Sequence, residues 1–251
     1  MSTIHDFQDG CGEVPAARHH NPDGSSGGWV AATAFAAPMV FVGRDAVVFG
    51  CAEVFGFAGV LGAAKVFGNA EVYGDARVGG AVQVFGNARV CGYAHLYDHA
   101  VVFDNADITG FGRVLGHSQV FEKGRVGDAA VVSGNVRVAG AARVSGYARV
   151  FGDAAVEGNA RVGGQARVGG QARVCGTAVV AGTTVVAGTA LVDGDTVVDG
   201  DTVVAGTTTL HNAEEAPAAP APAPEFPHRC PRCGGPAYVG FARTDCQRKC
   251  G

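Results

Sequence analysis

RVFGDAAVEGNARVGGQARVGGQA, residues 149–172, contains four copies of one six-residue unit. Each copy sets a small residue two positions before an aliphatic and a glycine two positions after it, as at Ala148, Val150 and Gly152. Followed outward in both directions, the aliphatic recurs at every sixth residue from Val42 to Leu210, giving 29 consecutive Val, Leu or Ile without an insertion or deletion. Only a backbone that repeats with the sequence keeps such a register.

Side chains alternate in extended chain, so the small residue and the aliphatic share the inward direction and the residues beside them face out. Each unit A-x-V-x-G-x is therefore one short strand. Of the 28 small positions from Ala46 to Thr208, 19 are Ala and the others are Gly, Ser, Thr or Val, as a tight corner requires. Of the 27 positions from Gly50 to Gly206, 23 are Gly, and the exceptions are Asp98, Asp104, Glu122 and Asp128. Gly takes positive φ without steric cost and Asp is among the better substitutes, so the chain turns at each of these positions. A second period counts the sides: Phe49, Phe67, Phe85, Phe103 and Phe121 recur every 18 residues, and Asn69, Asn87 and Asn105 follow three of them as an expected ladder. Three sides make one coil. The units then predict an all-β, three-sided parallel β-helix of about ten coils, a rod on the order of 45 Å long.

These units resemble those of the hexapeptide-repeat superfamily over roughly residues 30–212. The resemblance implies a left-handed helix of triangular section; handedness comes from it alone, and a right-handed, polymer-forming helix of the bactofilin kind is the alternative. It leaves function open, because the same repeat serves acyltransferases, γ-class carbonic anhydrases and proteins without known chemistry. The expected organisation is a cap segment (1–29), the β-helix (30–212), a Pro/Ala linker (213–227) and a zinc-ribbon-like module (228–251).

The chain has 19 Lys and Arg against 23 Asp and Glu, a formal charge of −4, which does not suggest a polyanion-binding protein. No stretch approaches the roughly 18 uninterrupted apolar residues of a membrane span, and MSTIHDFQDGCGEV lacks the basic start and apolar run of a secretory signal. The expectation is no membrane association and a place in the cytoplasm or in an intracellularly assembled particle. Outward Arg are shared among the sides, with Arg77, Arg113, Arg149 and Arg167 on one, Arg89, Arg125, Arg143 and Arg161 on the next, and Arg137 and Arg173 with Lys65 on the third. A nucleic-acid groove would concentrate them, so nucleic acid is not expected on the rod.

Alternation turns Phe49, Phe67, Phe85, Phe103 and Phe121 outward in one column, and stacked rings of this size are expected to form an interface. A homo-oligomer follows, with a trimer favoured from the resemblance. From Val174 to Leu210 there is no Lys or Arg, and Asp193, Asp195, Asp199 and Asp201 make that end acidic. Cys11, Cys51, Cys91 and Cys175 show no pairing logic and read as free thiols. Trp29, after the NPDG turn signal at 21–24, is expected to cap the first coil.

Catalysis needs converging polar groups, and the candidates are His99 and His117, 18 residues apart and so stacked at one corner, with His95 just before them. The resemblance implies a His general base on an acceptor hydroxyl or amine in the acyltransferases, and a three-His metal site in the anhydrases. The body, however, shows none of the loop insertions that build such sites in related acyltransferases.

After Asn212 the chain runs AEEAPAAPAPAPEFP, a semi-rigid spacer. Beyond it Cys230 and Cys233 form C-x2-C, and Cys246 and Cys250 form C-x3-C. Four thiolates suit one structural zinc, which would supply the folding free energy that so short a segment lacks. Arg229, Arg232, Arg243, Arg248 and Lys249 make this module basic, fit for an acidic protein surface or a nucleic acid. The sequence reading thus expects a non-catalytic scaffold that associates through the Phe stripe and recruits through the zinc module, within a bacterial or phage assembly. The alternative is an acyltransferase using acyl-coenzyme A with a His general base.

Overall fold

The computed structural model describes residues 3–211 and the backbone of two short paired strands, His228–Arg229 and Pro236–Ala237. The described residues contain no helix. Strands β1 (Thr3–Asp6), β2 (Glu13–His20) and β3 (Ser26–Ala31) pair antiparallel in sequence, and β3 then pairs parallel with Val47–Val48. From there the chain is a parallel β-solenoid of about ten coils, in which each short strand pairs with the one 18 residues on, as Val48 with Val66 and Val66 with Val84. Three faces result. The first runs in thirteen strands from β1 to Thr209–Leu210, the second in ten from Phe35–Ala36 to Val197–Val198, and the third in ten from Phe41–Val42 to Val203–Val204.

Inward positions are as the unit demands. The aliphatics and small residues interleave in one continuous core, and Val48, Ala52, Val54 and their equivalents are wholly buried over most of its length. Each buried Val contributes about 1.5–3 kcal/mol by leaving water. Where a hydroxyl occupies a small position it finds a carbonyl: Ser118 Oγ donates to Leu115 O at 2.8 Å, and Thr196 Oγ1 to Asp193 O at 2.6 Å.

All corner positions from Gly50 to Gly206 have positive φ, the four non-glycines included. A Cβ on Gly140 would lie 2.5 Å from the Gly158 carbonyl oxygen of the next coil, so glycine is required by close approach as well as by φ. The exceptions have a reason that the repeat alone does not disclose. Asp98 Oδ2 accepts a hydrogen bond from Gly116 N, Asp104 Oδ2 from Glu122 N, Glu122 Oε2 from Gly140 N and Asp128 Oδ2 from Gly146 N. Each carboxylate thus captures the corner N–H of the following coil, which offsets the strain of its left-handed backbone. The Asn ladder forms as expected, with Asn69 Nδ2 donating to Asn87 Oδ1 at 3.1 Å and Asn87 Nδ2 to Asn105 Oδ1 at 3.4 Å.

Two expectations need correction. Phe49, Phe67, Phe85, Phe103 and Phe121 do not stand open to solvent: each is 3–6% exposed. Neighbouring rings stack at 4.8–5.1 Å, Phe7 from β1 continues the column above Phe49 at 5.0 Å, and the Arg137 guanidinium closes it 5.6 Å from the Phe121 ring. Rings aligned coil on coil shield one another's faces, and Val47, Val101 and the N-terminal strands pack beside them. Trp29 belongs to this outer cluster and not to the end of the inner core; it stacks on His5 at 4.6 Å beneath the Arg18 guanidinium. The NPDG segment does turn, and buried Asn21 ties the cap to the first coil by accepting from Val42 N at 2.9 Å.

Replacing Asp128 by Ala keeps the positive φ and removes the carboxylate, and is expected to cost about 1–3 kcal/mol in denaturant unfolding, while Asp128→Gly stays within about 1 kcal/mol of the parent. Equal losses for both variants would show that the hydrogen bond, not the backbone, sets the cost.

Candidate functional site on the third face

Reading outward residues coil by coil gathers the polar chemistry on the third face and its two corners. Arg77, His95 and Arg113 occupy outward positions of consecutive strands and are direct register partners. Tyr97 follows His95 on the same coil, and its ring meets the imidazole edge to face at 5.9 Å. A Cβ on Gly79 would lie 2.8 Å from Tyr97 Cε1, so glycine there lets the tyrosine ring lie against the preceding coil. Next come His99 and His117 at the corner leading to the first face.

The two sequence candidates are brought together as expected. The imidazoles of His99 and His117 stack at 4.8 Å with an interplanar angle of 1°, and both are exposed. Their separation is set by the backbone, because His99 N donates to Gly116 O and His117 N to Gly134 O. The same corner continues with Asn135 Nδ2 donating to Asp153 Oδ1 at 2.8 Å. Two parallel imidazoles can take a proton at one ring while the other holds the same ligand by a hydrogen bond.

His95 has a different environment. It is half-buried, and its pKa is lowered by burial first and then by the Arg113 and Arg77 guanidiniums on either side. Among the described residues neither arginine forms an ion pair; the two pairs present are Arg89 with Glu71 and Arg173 with Glu157. The two guanidiniums on either side of the imidazole make this stretch of the third face cationic.

Sequence reading missed the flanking arginines as a group, because it asked only whether they were spread over all sides. It also missed an exposed apolar column at the corner between the second and third faces, formed by Met39, Phe57, Tyr93 and Phe111. Asp75 interrupts that column, so it shows no unbroken period. Among the described residues no three of His, Cys, Asp and Glu meet as a metal-ligand set, so His95, His99 and His117 do not form the three-His centre of the anhydrase branch. Cys51, Cys91 and Cys175 are free thiols, and burial, with Asp193 beside it, pushes Cys175 up to about 12. Cys230, Cys233, Cys246 and Cys250 lie outside the described residues, as does the rest of the expected zinc module apart from the two short strands.

No family model and no curated protein matches the chain. Solved structures do. LpxA from Acinetobacter baumannii is 14% identical with a TM-score of 0.35, covering 68% of this chain and 71% of its own. The UDP-N-acetylglucosamine acyltransferase of Francisella novicida is 12% identical with a TM-score of 0.31, covering 65% and 62%. The UDP-N-acetylglucosamine O-acyltransferase of Moraxella catarrhalis is 14% identical with a TM-score of 0.25, covering 62% and 66%. The chain thus spans less than two thirds of the second and third. These neighbours correct the expectation of a non-catalytic scaffold with an enzyme second, since the proteins found alongside this chain are acyltransferases. At such identities and scores no substrate carries over from them.

In an NMR titration the His95 ring is expected to change protonation below the ordinary imidazole value of 6.5, and Arg113→Gln should move its midpoint upward. The folded chain holds the charged form less readily than the unfolded chain does, so the contribution of this group to stability falls as pH drops through and below 6.5. A midpoint at or above 6.5 in the parent contradicts the arrangement.

Proposed function

We propose that the chain is a hexapeptide-repeat acyltransferase that takes acyl-coenzyme A as donor, with the His99–His117 pair as its general base. The observation that carries the reading is the parallel stacking of two exposed imidazoles at 4.8 Å on coils whose outer surface also bears His95 and Arg113, with Arg77 on the coil before. One imidazole nitrogen takes the proton of an acceptor hydroxyl or amine while the acceptor oxygen or nitrogen attacks the thioester carbonyl. The carbon–sulfur bond then breaks, and the departing thiolate recovers the proton from the imidazolium. Positioned base catalysis of this kind contributes typically 10²–10⁴-fold. The two unpaired guanidiniums suit the anionic donor, as phosphate recognition by Arg requires.

The coils run without a loop insertion from β3 to Leu210, so nothing within the described solenoid walls the histidine corner off from solvent. The acceptor would lie on an open face, and that favours a large or extended acceptor over a small one enclosed in a pocket. A structural zinc at Cys230, Cys233, Cys246 and Cys250 enters the proposal on the spacing of those cysteines alone.

The test is release of free coenzyme A from acyl-coenzyme A donors of graded chain length, with hydroxyl and amine sugar acceptors, followed by chromatography to avoid the thiols of the protein. His99→Gln combined with His117→Gln is expected to reduce kcat at least 100-fold with the far-ultraviolet circular dichroism unchanged, as the lower end of the base contribution implies. No turnover with any acceptor, or full turnover in the double variant, would remove the reading.

A further inference from the structure

Summed over the rod the outward arginines are shared among its sides, but along the rod they are not. Seven of the ten that precede an aliphatic lie between Arg125 and Arg173, a stretch that holds no lysine and only three carboxylates. Glu157 is engaged by Arg173 at 3.2 Å, Asp153 accepts from Asn135, and Asp128 accepts from Gly146 N. From Val174 to Leu210 the chain then carries four aspartates and no cation. A cationic belt therefore sits above an acidic end.

The second face supplies its own comparison. Its upper coils alternate in sign, with Glu71, Arg89 and Asp107 as successive register partners and Glu71 3.3 Å from Arg89. Alternation keeps a stacked column neutral. Below Asp107 and Arg125 it stops: Arg125 partners Arg143, and Arg143 partners Arg161, while on the third face Arg149 partners Arg167. Arg143, Arg149, Arg161 and Arg167 are all exposed and flank one corner, and among the described residues no carboxylate stands in register with any of the four.

Tyr147 stands on that corner, 72% exposed, between Arg143 and Arg149 in the chain. On its second-face side a strip of small residues, Gly127, Ser145 and Gly163, lies between the arginine column and the tyrosine, and a Cβ on Gly163 would come 3.5 Å from Ser145 Oγ. On its third-face side the Phe151 ring lies across Gly169, where a Cβ would be 2.3 Å from Phe151 Cε2. Phe151 is 37% exposed, with the Arg167 guanidinium 5.9 Å from its ring. Both flanks of the corner thus set guanidiniums beside an open aromatic and a floor almost bare of side chains.

We propose that this corner binds a single-stranded nucleic acid, with phosphates on Arg143, Arg149, Arg161 and Arg167 and a base stacked on Tyr147. The guanidinium fork matches a phosphate bidentately, and an aromatic face accepts any base. Guanidiniums one coil apart, about 4.8 Å, hold a dense layer of counterions that a phosphate chain releases when it takes their place. A duplex does not fit, because a flat-sided rod offers no helix, ribbon or arm to enter a groove, and paired bases keep their faces from Tyr147. An acidic polysaccharide satisfies the arginines but has no planar ring to lay on the tyrosine. The site shares no residue with the His99–His117 corner.

Fluorescence anisotropy of a labelled oligothymidylate of about 12 nucleotides, titrated with the full-length chain between about 50 and 200 mM salt, tests this. Four phosphate contacts predict that log affinity falls against log salt with a slope of about −2.8, at roughly 0.7 per contact. Arg143→Gln combined with Arg149→Gln should make that slope shallower by about 1.4. Tyr147→Ala should weaken binding at least about 5-fold, the lower end for a lost base stack, and leave the slope unchanged. Arg89→Gln, which removes an arginine already paired with Glu71, should change neither. Absence of binding at the lowest salt would overturn the proposal. So would full affinity and slope in the double arginine variant, which places the contact elsewhere on the chain, and so would equal affinity for a duplex or a heparin fragment with no loss on Tyr147→Ala.

Discussion

The left-handed corner repeated every six residues is the constraint from which the rest of the molecule follows. Positive φ turns the chain through one corner of the triangle, and the following residue then donates its N–H to the corner carbonyl of the next coil, as Asn69 N does to Gly86 O at 2.7 Å. Corner oxygen and corner nitrogen approach so closely that all but four corners carry no side chain: a Cβ on Gly152 would lie 2.8 Å from Gly170 O. Coil spacing is therefore set by backbone contact, and every outward column inherits the same short rise. The Phe stack, the Asn ladder, the paired imidazoles and the arginine columns are all consequences of that one distance.

This is why the fold was legible in the sequence and the surface only partly so. The core positions answer to volume and φ, so Val, Ala and Gly at fixed offsets state the strand, its inward face and its corner without ambiguity. Outward positions answer to neither. Alternation correctly turned the Phe column outward, but direction is not exposure, and whether aligned rings cover one another depends on how they lie between coils. The same limit hid Phe7, which reaches its place above Phe49 through an antiparallel hairpin outside the repeat.

The histidine corner was readable because a spacing of 18 is itself a contact statement in a three-sided coil. The environment of His95 was not, because it arises from residues 18 before and 18 after, whose identities matter only together. Asp98 and its three carboxylate companions illustrate a similar point: at the level of propensity they are tolerated substitutes for Gly, whereas in the fold each accepts the corner N–H one coil on. Local preference said which residues could stand there, and the neighbouring coil said why these do.

A solenoid that stacks equivalent side chains must also stack equivalent charges. Two unit charges about 5 Å apart in water repel by roughly 0.8 kcal/mol, so a column such as Arg125, Arg143 and Arg161 is borne only because it is exposed and screened. The third face stacks Arg149 directly on Arg167 in the same way but spaces its earlier cations apart. Arg77 and Arg113 stand two coils apart with His95 between them, and Val131 separates Arg113 from Arg149. His95 serves as a spacer only while it is neutral, and burial first, then the two guanidiniums, disfavour its charged form. Protonation would convert three consecutive positions into an unbroken cationic run.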